Sequence, residues 1–303
     1  MNILNSQKEG AEMSRVNEMF GLYTNGEEFP DLHKVLISQI CPFTGSRCYK
    51  TRKSDPGTAI GTCSLCFNNV EQPILICPEP LTQGGKVFND CLSFIASSIA
   101  GTDLYLVPEV STPAGRIDYV LTAVKNGRPV DFVAIELQTL DTTGSIWNER
   151  QSLLIEHGYD VDKGAARSNG ASLNWKMTAK TILAQLLQKS QLFASMNRNL
   201  VLVCQTPLYD YMRESFNFRG VREADSRDVL HFHMYDYQPG PSGMELTLSS
   251  MRSASLDVVE SIMGQSSADD KALHMINDTI MARLKPEYRF EPMRLGKMYP
   301  YGG

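Results

Sequence analysis

The chain has 303 residues, 42% of them apolar, and a formal net charge of −5. That length supports one large domain or two modest ones around a real core. No apolar run approaches the roughly eighteen residues of a membrane span, and the N-terminus lacks a basic stretch leading into an apolar one. A membrane protein and a secretion signal are therefore set aside, and the cytoplasm is the expected compartment. The acidic balance does not advertise nucleic-acid binding, although such footprints are local.

In chain order, Met13, Val16, Met19 and Phe20 follow helical spacing, so a helix is expected up to about Leu22. A cysteine-rich region follows, CPFTGSRCYK and then GTCSLCFNNVEQPILICP. Seven cysteines without a secretion signal imply reduced thiols, and a cluster of them reads as a metal site rather than as disulfides. Spacing alone selects Cys41, Cys48, Cys63 and Cys66, because Cys63-x-x-Cys66 is half of a zinc- or rubredoxin-type knuckle. Between Cys41 and Cys66, Arg47, Lys50, Arg52 and Lys53 stand against Asp55 alone, a net charge of plus three that can lie along a phosphate backbone.

From Lys86 the chain changes character, which divides a metal-binding module over 1–85 from a core over 86–245, with a helical extension over 246–303. Phe88, Leu92, Ile95 and Ile99 predict a helix that carries Cys91 and closes at Gly101. Leu104 to Val107 reads as a first strand, and Glu109 just beyond it is a candidate carboxylate for a metal.

Ile117 to Val124 and Val130 to Leu140 are rich in branched and aromatic residues around Asn126-Gly127, a strong hairpin signal. In the second strand Val133, Ile135 and Leu137 share one face, while Ala134, Glu136 and Gln138 share the other. A two-residue loop would set Asp118 opposite Ile135 on the apolar face. A three-residue loop, Lys125-Asn126-Gly127 with a bulge after it, would bring Asp118 beside Glu136, so an odd-length loop is predicted if these carboxylates work together.

Arg167, Asn169, Asn174, Lys176 and Lys180 gather around the start of a long helix with the apolar stripe Trp175, Ile182, Leu183, Leu186 and Phe193. These polar groups suit base edges or phosphates. Leu200 to Cys204 and Val229 to Tyr235 read as strands, and His231 and His233 share a partly buried polar face of the second. Met244 to Leu248 reads as a closing strand, followed by helices over Leu256 to Met263 and Lys271 to Leu284. No phosphate-cradling glycine motif is present, so no nucleotide cofactor is expected.

Two carboxylates on rigid neighbouring strands suit Mg2+, which prefers oxygen ligands, and such a site can activate water against a phosphodiester. The segment Ile135-Glu136-Leu137-Gln138-Thr139-Leu140-Asp141, followed by Gly144-Ser145, resembles the active-site segment of NotI-type restriction endonucleases. In that family glutamine replaces the lysine of the PD-(D/E)xK pattern. The elements Cys41-Pro42-Phe43, Cys48-Tyr49-Lys50, Gly61-Thr62-Cys63 and Cys77-Pro78 also resemble it.

The resemblance implies an α/β fold, a PD-(D/E)xK core whose mixed sheet is flanked by helices, carrying an N-terminal four-cysteine metal-binding module. It implies a type II restriction endonuclease, a homodimer on double-stranded DNA, with catalytic Asp118, Glu136 and Gln138, and Mg2+ on the two carboxylates. It implies structural iron, or zinc, on Cys41, Cys48, Cys63 and Cys77, with Cys66 the alternative fourth ligand. Family targets are GC-rich with GGCC at the centre, are cut to leave four-base 5′ overhangs, and for this chain are expected to span six base pairs. Two other readings stay open: a non-catalytic regulatory module centred on the cysteines, and a repair-type nuclease of the same superfamily.

Overall fold

A computed structural model describes residues 14–263 apart from 25–30, 53, 69, 162–169 and 241–242, together with 278 and 280–282. Residues up to Gly264 pack as one unit, and Gln265–Gly303 form a second. The helix predicted over Lys271 to Leu284 lies largely outside the described residues.

The first unit is built on a seven-stranded mixed sheet. Its strands in chain order are β1 (Asp103–Thr112), β2 (Gly115–Lys125), β3 (Arg128–Gln138), β4 (Leu200–Gln205), β5 (Arg222–Glu223), β6 (Leu230–Gly240) and β7 (Gly243–Ala254). Their spatial order is β5-β7-β6-β4-β3-β2-β1. Strand β4 runs parallel to both β3 and β6, and all other neighbours are antiparallel. Its sequence LVLVCQ, buried at every position, is the continuous apolar run that a central parallel strand requires.

Helices cover both faces. On one, Ala134, Leu200, Leu202 and Phe232 pack against α4 (Trp175–Ser195), α5 (Thr206–Ser215) and α6 (Leu256–Ile262). On the other, Val133, Ile135, Val201, Val203 and Tyr235 meet Leu81, Val87 and Ile95. These come from α2 (Lys86–Asp90) and the 3-10 segments Glu79–Gly85 and Leu92–Ser98. The single helix predicted from Phe88 to Ile99 is thus one short α-helix and a 3-10 turn. The mixed, helix-flanked α/β sheet is the architecture expected from the sequence. Among the described residues no helix is long and apolar enough to cross a membrane.

The cysteine-rich region, with α1 (Leu32–Ser38) and α3 (Ile146–Glu156), forms a third apolar cluster through Val16, Met19, Leu32, Leu65, Ile76, Leu153 and Leu154. The helix expected up to Leu22 is not formed in residues 14–24. Glu18–Met19 and Leu22–Tyr23 pair as short antiparallel strands. The cause is tertiary: the buried Glu18 carboxylate accepts the N–H groups of Gly21, Cys63 and Ser64, which a helix could not present together.

Candidate active site

The β2–β3 hairpin turns on Asn126 and Gly127, both left-handed at φ 53° and 72°. Lys125 pairs with Arg128, so the loop has two residues, and the odd-length loop expected from the sequence is corrected. The register changes further in, between Ala123↔Asp131 and Val124↔Pro129, where Val130 is an extra residue without a partner on β2. This bulge supplies the one-residue shift that the loop does not. The ladder ends at Tyr119↔Ile135, and one step beyond it the Leu137 N–H donates to Asp118 Oδ2 at 2.8 Å. Asp118 therefore lies at the level of Glu136.

Strand β1 adds a third carboxylate. Pro108↔Tyr119 and Val110↔Ile117 flank Glu109 and set it opposite Asp118. Glu109 leaves the ladder with φ 57°, and its exposed side chain accepts from Arg116 Nη1 at 2.9 Å. A left-handed glutamate is strained by about 1–2 kcal/mol, and such backbone concentrates at working sites.

Glu136 is 4% exposed and points to the α4 face, where Lys189 Nζ donates to its Oε1 at 2.6 Å. Burial pushes Glu136 up to about 7, opposed by the Lys189 bond and reinforced by Asp118 and Glu109. Burial likewise raises Asp118, against the pull of the Leu137 N–H and the Lys189 charge. Among the described residues neither Asp118 Oδ1 nor Glu136 Oε2 has a hydrogen-bond partner. Mutually repelling carboxylates, Glu136 buried and Asp118 half-buried, with unused oxygens are the donor set that a hard divalent cation fits. Gln138, half-buried, donates from Nε2 to Thr139 O at 2.6 Å and stands beside Cys204 of β4.

Lys189 is not among the residues singled out from the sequence. A signal for it existed: it falls three residues after Leu186 and four before Phe193, on the apolar stripe of α4, where a lysine has no place unless it is paired.

A cleft of about 190 Å³ opens beside Glu109 and Asp118, lined also by Tyr49, Glu79, Thr82 and Tyr119. It joins the cysteine-rich region to the strand ends. In that region Cys63 and Cys77 share a hydrogen bond that pulls Cys77 down and pushes Cys63 up. Cys48 is raised by burial and feels the charges of Cys41 and Cys77. Cys66 donates to Asn17 Oδ1 at 3.5 Å. Among the described residues no three His, Cys, Asp or Glu side chains converge at metal-ligand spacing.

The basic candidates are dispersed. Arg47 donates to Gly57 O and Lys50 to Ile76 O, so both engage the chain's own carbonyls. The Arg52 guanidinium lies over the Trp147 ring at 5.3 Å, with Arg150 over the same ring at 5.0 Å. Asn174 caps the start of α4 and its N–H donates to Asp141 O at 2.8 Å, while Lys176 and Lys180 are exposed on the following turns. Lys53, Arg167 and Asn169 lie outside the described residues. The face of His231 and His233, expected to be partly buried, is fully buried against Phe94 at 4.4 and 5.9 Å. Burial lowers both, His233 to about 4, so they are neutral core residues.

No curated protein matches the chain. The family model described as Restriction endonuclease NotI matches residues 32–248, a span that runs from α1 through the cysteines and the carboxylate strands into β7. The chain therefore belongs to the NotI restriction endonuclease family and is a type II site-specific deoxyribonuclease, with DNA as its partner.

Proposed function

We propose that this endonuclease cuts double-stranded DNA through a Mg2+-dependent site of the PD-(D/E)xK type, built on Asp118, Glu136 and Gln138. The target is a GC-rich palindrome of six base pairs with GGCC at its centre, cut to leave four-base 5′ overhangs. The observation that carries this reading is the pair Asp118 and Glu136, held at one level of adjacent strands with oxygens to spare. Asp118 and Glu136 would hold Mg2+, which supplies a more acidic bound water and positive charge for the phosphate. Glu109, opposite Asp118, is placed to add a further oxygen.

Gln138 cannot exchange a proton at working pH, so its part is to orient the water or to donate to phosphate. Cys41, Cys48, Cys63 and Cys77 would hold a structural iron or zinc, since four protein ligands leave no open position for substrate. That metal would stiffen the segment Cys77-Pro78-Glu79, which reaches the cleft beside Asp118. Arg47, Lys50, Arg52, Lys53, Arg167, Asn174 and Lys176 are the proposed DNA contacts. Cutting both strands of a palindrome calls for two sites related by a two-fold axis, hence a homodimer, acting in the cytoplasm. Membership of the family sets aside the non-catalytic regulatory module and the repair nuclease.

The test is to incubate the purified protein with GC-rich plasmid DNA and Mg2+ and to sequence every fragment end. Discrete fragments sharing one GGCC-centred palindrome and a four-base 5′ extension are expected. Blunt or unrelated ends would overturn the proposed target.

A further inference from the structure

Lys189 is a buried cation on the core-facing stripe of α4. It is 4% exposed, and its one hydrogen bond among the described residues is the 2.6 Å contact to Glu136 Oε1. An ammonium has three protons to donate, so two remain without an acceptor. Burying a charge with donors unused is unfavourable unless something later takes them. The same charge acts at a distance on Asp118, whose ionised form it favours. Strand β3 meanwhile offers only a neutral amide at Gln138, although hydrolysis of a phosphodiester builds negative charge on the phosphate oxygens.

We propose that Lys189 is the catalytic cation that β3 lacks at position 138: carried in by α4, it bonds Glu136 with one proton and an oxygen of the scissile phosphate with another. The proposal rests on the reading of Asp118 and Glu136 as the centre of the reaction. Lys189 transfers nothing. Water forms the new bond to phosphorus as the bond to the leaving sugar oxygen breaks, the attacking water's proton passes to solvent, the leaving oxygen takes a proton from solvent, and the ammonium keeps its three protons.

The experiment uses the full-length protein and a synthetic duplex carrying its mapped site, with either a normal phosphate or a neutral methylphosphonate at the scissile position. Lys189→Gln retains a donor for Glu136 but removes the charge. Single-turnover cleavage in Mg2+ is expected to fall about 100-fold or more, as for loss of one transition-state donor, with Lys189→Arg recovering part of the loss. With Ca2+ in place of Mg2+, the methylphosphonate is expected to weaken binding about tenfold in the unaltered enzyme and less than about twofold in Lys189→Gln, because the partner of the missing charge is already gone. Cleavage within about threefold of the unaltered enzyme, with an unchanged methylphosphonate penalty, would make Lys189 a passive counter-ion.

If Lys189→Gln does not fold, the same binding comparison is made between Glu136→Gln and the double variant Glu136→Gln/Lys189→Met, where no carboxylate is left unpaired. Equal penalties there overturn the proposal, and a smaller penalty in the double variant supports it. Glu136→Gln also separates the two ideas. If it cleaves normally, the carboxylate reading fails and Lys189 falls with it. If it is inactive while Lys189→Gln is active, only the role of Lys189 is lost.

Discussion

Asp118 accepts the N–H of Leu137 across the open end of the β2–β3 hairpin, at 2.8 Å. The bond fixes the carboxylate where the ladder stops and turns it toward the level of Glu136. The carboxylate pair should therefore be separable from DNA recognition. Asp118→Asn and Glu136→Gln are expected to reduce plasmid cleavage by at least about a thousandfold while specific binding, read by gel shift in Ca2+, stays within a fewfold. Cleavage at the ordinary rate in either variant would end the assignment.

The bulge, not the turn, sets the register. Inserting one residue after Val130, with the bulge still holding a single extra residue, should pair Asp118 with Ile135 and abolish cleavage even in protein that still folds, whereas deleting Val130 should leave Asp118 opposite Glu136 in an unbulged hairpin. Gly127→Ala, which forces a side chain into a left-handed position at φ 72°, should cost about 1–2 kcal/mol in urea unfolding and leave cleavage intact. If the insertion cleaves normally, the register at the bulge does not place the site.

Glu136 makes stability depend on pH. Its carboxyl titrates near 7 in the fold, against an ordinary value of 4.5. Between these values the folded chain binds more protons than the unfolded one, so its stability falls as pH rises. The loss from this group is on the order of 3 kcal/mol between pH 4.5 and 7. Urea midpoints in EDTA should therefore decline more steeply for the unaltered protein than for Glu136→Gln. A divalent cation should flatten the decline, because it favours the ionised form. Parallel profiles would show that Glu136 titrates normally.

The cysteines can be sorted by metal content. Cys63→Ser and Cys77→Ser should lose the proposed iron or zinc, as read by elemental analysis of purified protein. Cys66→Ser should retain it, because that thiol turns to Asn17. Loss of metal in Cys66→Ser with retention in Cys77→Ser would restore the ligand set that spacing alone selects.

Much of the fold was legible because β2, β3 and β4 declare themselves locally. Asn126-Gly127 marks the turn, two-residue alternation separates Ile135 from Glu136, and the unbroken run at Leu200 marks a strand buried on both faces. What escaped depends on distant partners. Val16, Met19 and Phe20 fit a helix until Glu18 collects N–H groups from residues 45 and 46 positions away. The extra residue at Val130 leaves no mark in side-chain chemistry. Lys189 is 53 positions from Glu136, and only the crossover through α4 to the parallel strand β4 brings them together. Glu109 was legible as a carboxylate, but its place opposite Asp118 follows from a register that only the folded sheet defines.

The bulge at Val130 has a consequence for how such a site persists. A bulge depends on the number of peptide units, not on the side chain the extra unit bears, and Val130 projects largely into solvent. Its side chain is therefore free to drift, and even its loss would leave Asp118 opposite Glu136, whereas one more residue there would not. The alignment of the two carboxylates is stored as a count of residues that tolerates the loss of one unit at this position but not the gain of one, which a comparison that scores only matching letters would pass over.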